Sequence, residues 1–469
     1  MSSNTGVLSR WGILSGLIPV VFAFAQAPIP SAPQASVVTV SPAGGHYSEP
    51  GIALDPNRPN HVVVVYQGGA AVQGTSNAAY SVDGGKTFTR AHGTKPPDWK
   101  VAGDVSTTFD NKGNAYLCYL TFDKLGTSSY WAHNVGRNGI FVRRSRDGGK
   151  TWDAKAIAIK QFATSDAPGI QFEDEPRIFA DVSRTSPYAG SLYAGWVEWQ
   201  LTQSIMLFSR STDEGQTWSE PIRISTHPGL PRDDNGSLGG FVAAIASDGT
   251  VYVAWDDGNT IAFTESHDGG KTFSESHAVV DVAPPYFGEV PGVSRVEGFP
   301  QLAINGQNGT LFLCWSDYRN GDIDVFVASS SDRGHTWSKP VRVNDDAQHN
   351  GKDQFYQWMA VDPVSGAVYV EFYDRRADPK NRNISMTLAR STDGGRTFKN
   401  YTWTEKAFDP SDAFLGDYTW MAAYKDRVYA AWTEAVPKEP APKGSKQPPA
   451  HSRAETVILA GTADFSNVK

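Results

Sequence analysis

The chain has few of the residues that would mark a redox, metal or nucleic-acid protein. Its 469 residues include two cysteines, Cys118 and Cys314, nearly two hundred positions apart in the apolar runs "YLCYL" and "LFLCW". That excludes a disulfide framework and a Cys/His metal site, and both thiols read as small buried hydrophobes. Basic residues are outnumbered, giving a formal net charge of −8, which argues against a nucleic-acid partner. No cofactor is expected; a structural Ca²⁺ among the carboxylates is the one alternative, and no motif selects it. Long apolar runs are absent after the first thirty residues.

The one early run, "WGILSGLIPVVFAFA", follows Arg10 and ends in small residues. A positive start, a short apolar core and Ala23-x-Ala25 describe a secretory signal peptide over residues 1–25. Cleavage after Ala27 would put Pro28 behind the cut. An uncleaved anchor is the alternative, but the run is short for a bilayer and contains Pro19. The expected organisation is a signal (1–25), a linker (26–35) and one domain (36–469). The mature chain is expected to be secreted or periplasmic, with no membrane span.

Turns and aromatics are plentiful: 45 Gly and 14 Trp. "SVDGGKTF" at Ser81 returns at Ser145, Ser211, Ser266, Ser330 and Ser391, about every 62 residues with one shorter interval. Around each copy lie short strands such as "PRIFADVS", "VYVAWDD", "TIAFTES" and "EPIRIS". Four strands per unit with tight turns describe a propeller blade. Innermost strands begin near Glu49, Asp104, Glu175, Phe241, Phe299, Tyr356 and Tyr418, which makes seven. The last unit lacks a fourth strand, and "ASVVTVSP" at the start of the mature chain supplies one. An all-β seven-bladed propeller closed by its N-terminal strand is therefore predicted, with six blades and an extra sheet as the alternative. A closed ring leaves no edge that demands a partner, so a monomer is expected.

The pattern S-x-D-x-G-x-T-[FW] is the Asp-box, or bacterial neuraminidase repeat, and nearly the whole mature chain resembles the sialidase-like Asp-box propellers. The resemblance implies export and, in many members, carbohydrate chemistry. Sialidases of this kind use three arginines on the substrate carboxylate, an Asp acid–base and a Tyr nucleophile assisted by a Glu. Their Arg-Ile-Pro motif near the first blade has no counterpart here, where "SEPGIALDP" carries no arginine. The "EPRIF" around Arg177 lies in the third unit.

If the boxes join third and fourth strands, the opposite face carries the site. Glu49, Asp104, Glu175, Glu297 and Asp417 stand at first-strand starts there. Glu198, Asp256, Asp257, Asp317, Asp374 and Glu434 stand at second-strand ends. Glu175, Asp317 and Asp374 are the candidate acids, and Tyr418 or Tyr356 the candidate nucleophile. Arg177, Arg319 and Arg375 are candidate anion holders, with Glu49, Asp104, Glu297 and Asp417 as further substrate contacts. The acids could equally brace neighbouring blades. Two functions follow: a sialidase-type exo-glycoside hydrolase, or a non-catalytic propeller binding glycan or protein on the same face. A polysaccharide lyase is also permitted.

Overall fold

A computed structural model describes residues 29–69, 74–94, 98–124, 136–163, 171–231, 236–283, 290–293, 296, 298–404, 406–411, 413–437 and 454–468. Among these there is no helix. The expected signal segment, residues 1–25, lies outside them.

Strand β1 (Ser36–Thr39) precedes the first complete blade. Blade one comprises β2 (His46–Asp55), β3 (Arg58–Gly69), β4 (Ser76–Ser81) and β5 (Thr89–Arg90). Blade two comprises β6 (Val101–Phe109), β7 (Ala115–Phe122), β8 (Asn138–Ser145) and β9 (Ile157–Phe162). Blade three comprises β10 (Phe172–Ala180), β11 (Leu192–Trp199), β12 (Ser204–Ser211) and β13 (Ile222–Arg223). Blade four comprises β14 (Leu238–Ile245), β15 (Val251–Asp257), β16 (Thr260–Ser266) and β17 (His277–Asp281). Blade five comprises β18 (Gln301–Ile304), β19 (Leu311–Asp317), β20 (Asp324–Ser330) and β21 (Val341–Arg342). Blade six comprises β22 (Gln354–Val361), β23 (Val368–Asp374), β24 (Ser385–Ser391) and β25 (Lys399–Thr402). Blade seven takes β26 (Trp420–Tyr424), β27 (Arg427–Ala435) and β28 (Thr456–Asp464) from the end of the chain, and β1 as its outer strand. Each sheet is antiparallel, and Ser36 opposite Thr462 through Thr39 opposite Leu459 closes the ring.

The stretch expected as a linker also packs. Ser31 bridges Thr402 of blade six, the Pro30 carbonyl accepts from Thr402 N–H, and the Pro33 carbonyl accepts from Asp464 N–H at 2.9 Å. Ala32 is buried. The chain start thus ties blade six to blade seven.

Apolar residues fill the spaces between blade faces. Second strands are buried on both sides, so they read as continuous apolar runs rather than alternating ones; Val62 through Tyr66 are fully buried. A large ring recurs at one position in these strands: Trp196, Trp255, Trp315 and Trp432 are each at most 1% exposed. At roughly 150–250 Å² each and about 25 cal/mol per Å², every such ring contributes up to about 4–6 kcal/mol of transfer free energy. Cys118 and Cys314 are buried free thiols, and burial pushes Cys118 up to about 12.

The six repeated turns have one geometry. Ser81 Oγ donates to Asp83 Oδ1 at 2.7 Å and accepts from Gly85 N–H at 2.9 Å. Asp83 accepts from Thr87 N–H at 3.0 Å and from Thr87 Oγ1 at 2.6 Å. The Thr-to-Asp bond recurs at 2.5–2.7 Å in the other five. The turn also grips the preceding blade. A Cβ on Gly270 would lie 2.7 Å from Phe208 of blade three, and one on Gly334 2.5 Å from Phe263 of blade four. Both glycines have positive φ, 79° and 88°. Only glycine meets both constraints, which is why the repeat keeps it.

Two outcomes follow. Gly270→Ala destabilises by about 1–3 kcal/mol in urea unfolding, since the methyl collides with a packed ring in a left-handed backbone. For the aspartates, burial opposes the charge of Asp83 and Asp268, but the bonds from the box threonine, serine and backbone outweigh it and hold both at about 2. A folded value below the unfolded one of about 3.9 gives stability that is present above pH ~4 and lost as pH falls towards 2. Urea midpoints measured from pH 5 to 2 should fall, and Asp268→Asn should make that fall shallower.

Candidate functional site

The innermost strands share an irregularity. Register shifts by one residue between Ser48 and Gly51, Gly103 and Ser106, Asp174 and Arg177, Gly239 and Val242, and Phe355 and Trp358. Each bulge holds a residue in the left-handed region: Glu49 (φ 52°), Asp104 (47°), Glu175 (53°), Gly240 (66°) and Tyr356 (52°). For a non-glycine residue this conformation costs on the order of 1–3 kcal/mol and concentrates at functional sites. A bulge re-aims a side chain, and here three consecutive blades aim an acid.

These bulges are joined blade to blade. Asp104 N–H donates to Gln67 Oε1 of blade one at 3.0 Å. Glu175 N–H donates to Asp104 Oδ2 at 3.3 Å, and Gly240 N–H donates to Glu175 Oε2 at 2.7 Å. Gly416 of the last segment packs closely on Glu49, since a Cβ there would lie 2.6 Å from Glu49 Cγ. Glu49 is buried, whereas Asp104 and Glu175 are partly exposed.

Arg177 follows the third bulge and is 2% exposed. Its guanidinium carbon lies 3.9 Å from the Tyr418 ring centre and 5.1 Å from those of Trp358 and Trp420. The two indoles stack at 4.0 Å and 24°. A side chain from blade three thus reaches rings of blades six and seven and fills the axis. Burial pulls the Arg177 pKa down, while Tyr418, Glu175, Asp104 and Glu49 hold it up. Arg177 Nη1 is buried without a hydrogen-bond partner among the described residues. The Tyr418 hydroxyl donates to the Val105 carbonyl at 3.1 Å, and burial, then Glu49, pushes it well above the ordinary tyrosine range. It stands as a neutral donor, and Asp417 lies beside it, 8% exposed.

Of the residues expected from sequence, Glu49, Asp104, Glu175, Arg177, Tyr418 and Asp417 therefore meet at the axis. The others go elsewhere. Asp317 accepts from Arg319 Nε at 2.8 Å and from the Trp315 indole at 3.0 Å, making a brace in blade five. Asp374 accepts from Arg376 Nε at 2.5 Å, Thr387 Oγ1 at 2.8 Å and Gln354 Nε2 at 3.2 Å, a saturated carboxylate. Arg375 is fully buried, donating to the carbonyls of Asn381 at 3.0 Å and Pro291 at 2.8 Å; burial lowers it to about 10. Tyr356 occupies a bulge, but its buried ring packs edge-on against Phe355 and Tyr373. Glu297 lies outside the described residues.

The sequence reading missed Trp358, Trp420, Gln67 and Gly240. Superposing the seven units on the second-strand aromatic would have set these positions beside Glu49, Asp104 and Glu175. In blades five and seven the acid two residues after that aromatic accepts its indole N–H, Asp317 from Trp315 at 3.0 Å and Glu434 from Trp432 at 2.9 Å.

Among the described residues, no group of three or more His, Cys, Asp or Glu is arranged to hold a metal ion, and no helix is long and apolar enough to cross a membrane.

No family model matches the chain, and no curated protein matches it. Solved structures do. An α-L-arabinanase from Penicillium chrysogenum, complexed with arabinobiose, is 14% identical, with 76% of this chain and 98% of that one covered at a TM-score of 0.50. The Hadza microbial sialidase Hz136 is 17% identical, covering 85% and 75% at 0.48. An ulvan lyase of polysaccharide lyase family 25 is 12% identical, covering 90% and 95% at 0.49. At such identities the likeness is one of fold.

Removing the axial cation tests the cluster's electrostatics. Arg177→Met removes the buried cation beside Glu49, Asp104 and Glu175 and should cost about 3–5 kcal/mol in urea unfolding at pH 7.

Proposed function

We propose that the chain is a glycan-cleaving propeller whose reactive centre is the axial cluster. The observation that carries this is the set of strained bulges that turn Glu49, Asp104 and Glu175 towards one arginine. Asp104 and Glu175 are partly exposed and take the base or nucleophile role. Arg177 balances their charge, and Tyr418, a neutral donor, orients its ring across the guanidinium.

Sialidase-type specificity calls for several cations around the substrate carboxylate. Of the three candidate anion holders, Arg319 and Arg375 are committed to Asp317 and to backbone carbonyls. With Arg177 alone left of the three, a neutral sugar is the proposed substrate class rather than a sialoside. The second reading, a glycan-binding propeller without turnover, is favoured by the committed Tyr418 hydroxyl. Export rests on the sequence of residues 1–25, and the monomeric state on ring closure.

The test is a screen of residues 26–469 on 4-methylumbelliferyl glycosides, with arabinosides, other neutral sugars and a sialoside in the panel. Turnover of a neutral glycoside is expected, and Glu175→Gln should lower kcat by about 10²–10⁴-fold. Sialoside turnover alone would overturn the neutral-sugar assignment. Silence with retained glycan binding would establish the second reading.

A further inference from the structure

Glu173, two residues before the third bulge, is fully buried. It stands directly opposite Glu198 in the β10–β11 register. Opposed residues on one sheet face have Cβ atoms about 4.5–5.5 Å apart, so the two carboxyls face each other. Each has one oxygen held. Glu173 Oε2 accepts from the Trp196 indole at 2.5 Å, and Glu198 Oε1 accepts from Gln200 Nε2 at 2.6 Å. Glu173 Oε1 is buried with no hydrogen-bond partner among the described residues. Two buried acceptors in contact cannot both be charged at low cost; one proton between them removes the repulsion and satisfies that oxygen.

We propose that Glu173 and Glu198 share one proton and that Glu198, 7% exposed at the site-face end of β11, is the general acid for the glycan cleavage proposed above.

This rests on that reading. Glu198 gives its proton to the glycosidic oxygen while the bond from that oxygen to the anomeric carbon breaks, and the leaving group departs as an alcohol with the bonding pair. Water adds to the anomeric carbon and yields a proton to the Glu175 carboxylate. That donation empties the pair of its one shared proton, and solvent exchange then returns to it the proton held by Glu175. The groups around the pair agree with a store of this kind. Burial and then the charge of Glu198 push Glu173 well above the usual carboxylate range, while the Trp196 N–H and the more distant Lys160 of β9 pull it back. Asn138 fixes the strand by accepting Glu173 N–H at 2.9 Å.

Two measurements test it on the mature chain. The infrared difference between wild type and Glu173→Gln at pH 7 should show loss of one protonated-carboxyl carbonyl band; an unchanged band region overturns the shared proton, whatever the activity. For the glycoside turned over in the screen, Glu198→Gln should lower kcat/KM about 10²-fold or more on an oligosaccharide, whose leaving group needs a proton. On the matching 4-methylumbelliferyl glycoside, whose leaving group does not, the loss should stay below about tenfold. Glu173→Gln should move the alkaline limb of the oligosaccharide pH profile to lower pH. Equal losses on both substrates, or an unmoved limb, overturn the acid role while leaving the cleavage reading intact. Absence of wild-type turnover overturns both roles, and the infrared band then decides the pair alone. Thermal unfolding within a few degrees of wild type confirms that the variants fold.

Discussion

The pairing of β1 with β28 places the first strand of the chain in the last sheet, and the geometry of the axis follows from it. An open array of seven sheets would let the innermost strands splay. Closure makes each blade face its two neighbours at a set distance, and five buried clusters fill those interfaces. The repeated turns add a second constraint, because their glycines fit against the preceding blade. Together these make a frame stiff enough to hold bulged, left-handed residues on the axis.

Within that frame the charge arrangement is unusual for an interior. Three acids converge on Arg177, whose guanidinium lies among aromatic rings. Stacking supplies a hydrophobic surround and the carboxylates supply the counter-charge, so an arginine 2% exposed remains tolerable. Backbone N–H groups of successive bulges donate to side chains of the blade before, so the acids are positioned by their neighbours as well as by their own strands.

Much of the acidic ring seen in the sequence has a different purpose. Asp317 and Glu434 each accept an indole N–H two residues upstream, and Asp374 closes a network with Arg376, Thr387 and Gln354. A buried Trp needs an acceptor for its one donor, and a strand places residues i and i+2 on the same face. In blades five and seven the acid after the aromatic thus serves packing, whereas in blade three the Trp196 indole turns to Glu173 instead. Residues that look alike in sequence separate into braces and axial acids according to how far they lie from the axis.

The sequence by itself determined the blade and the count. Six copies of one turn, the alternation of strands around them and a terminal strand without a partner are local patterns, and local patterns survive in one dimension. Even the glycine requirement is half visible there, as a turn residue, although its contact with the preceding blade is not. What only the tertiary structure decided is which acids meet. Glu49, Asp104 and Glu175 are separated by more than fifty residues each, and their convergence with Arg177 and Tyr418 depends on ring closure and on one-residue bulges. A bulge shifts the facing of a strand without leaving a sequence signature of its own. The pairing of Glu173 with Glu198 was likewise decided by strand register. Convergence is a property of the closed ring, and no segment of the chain contains it.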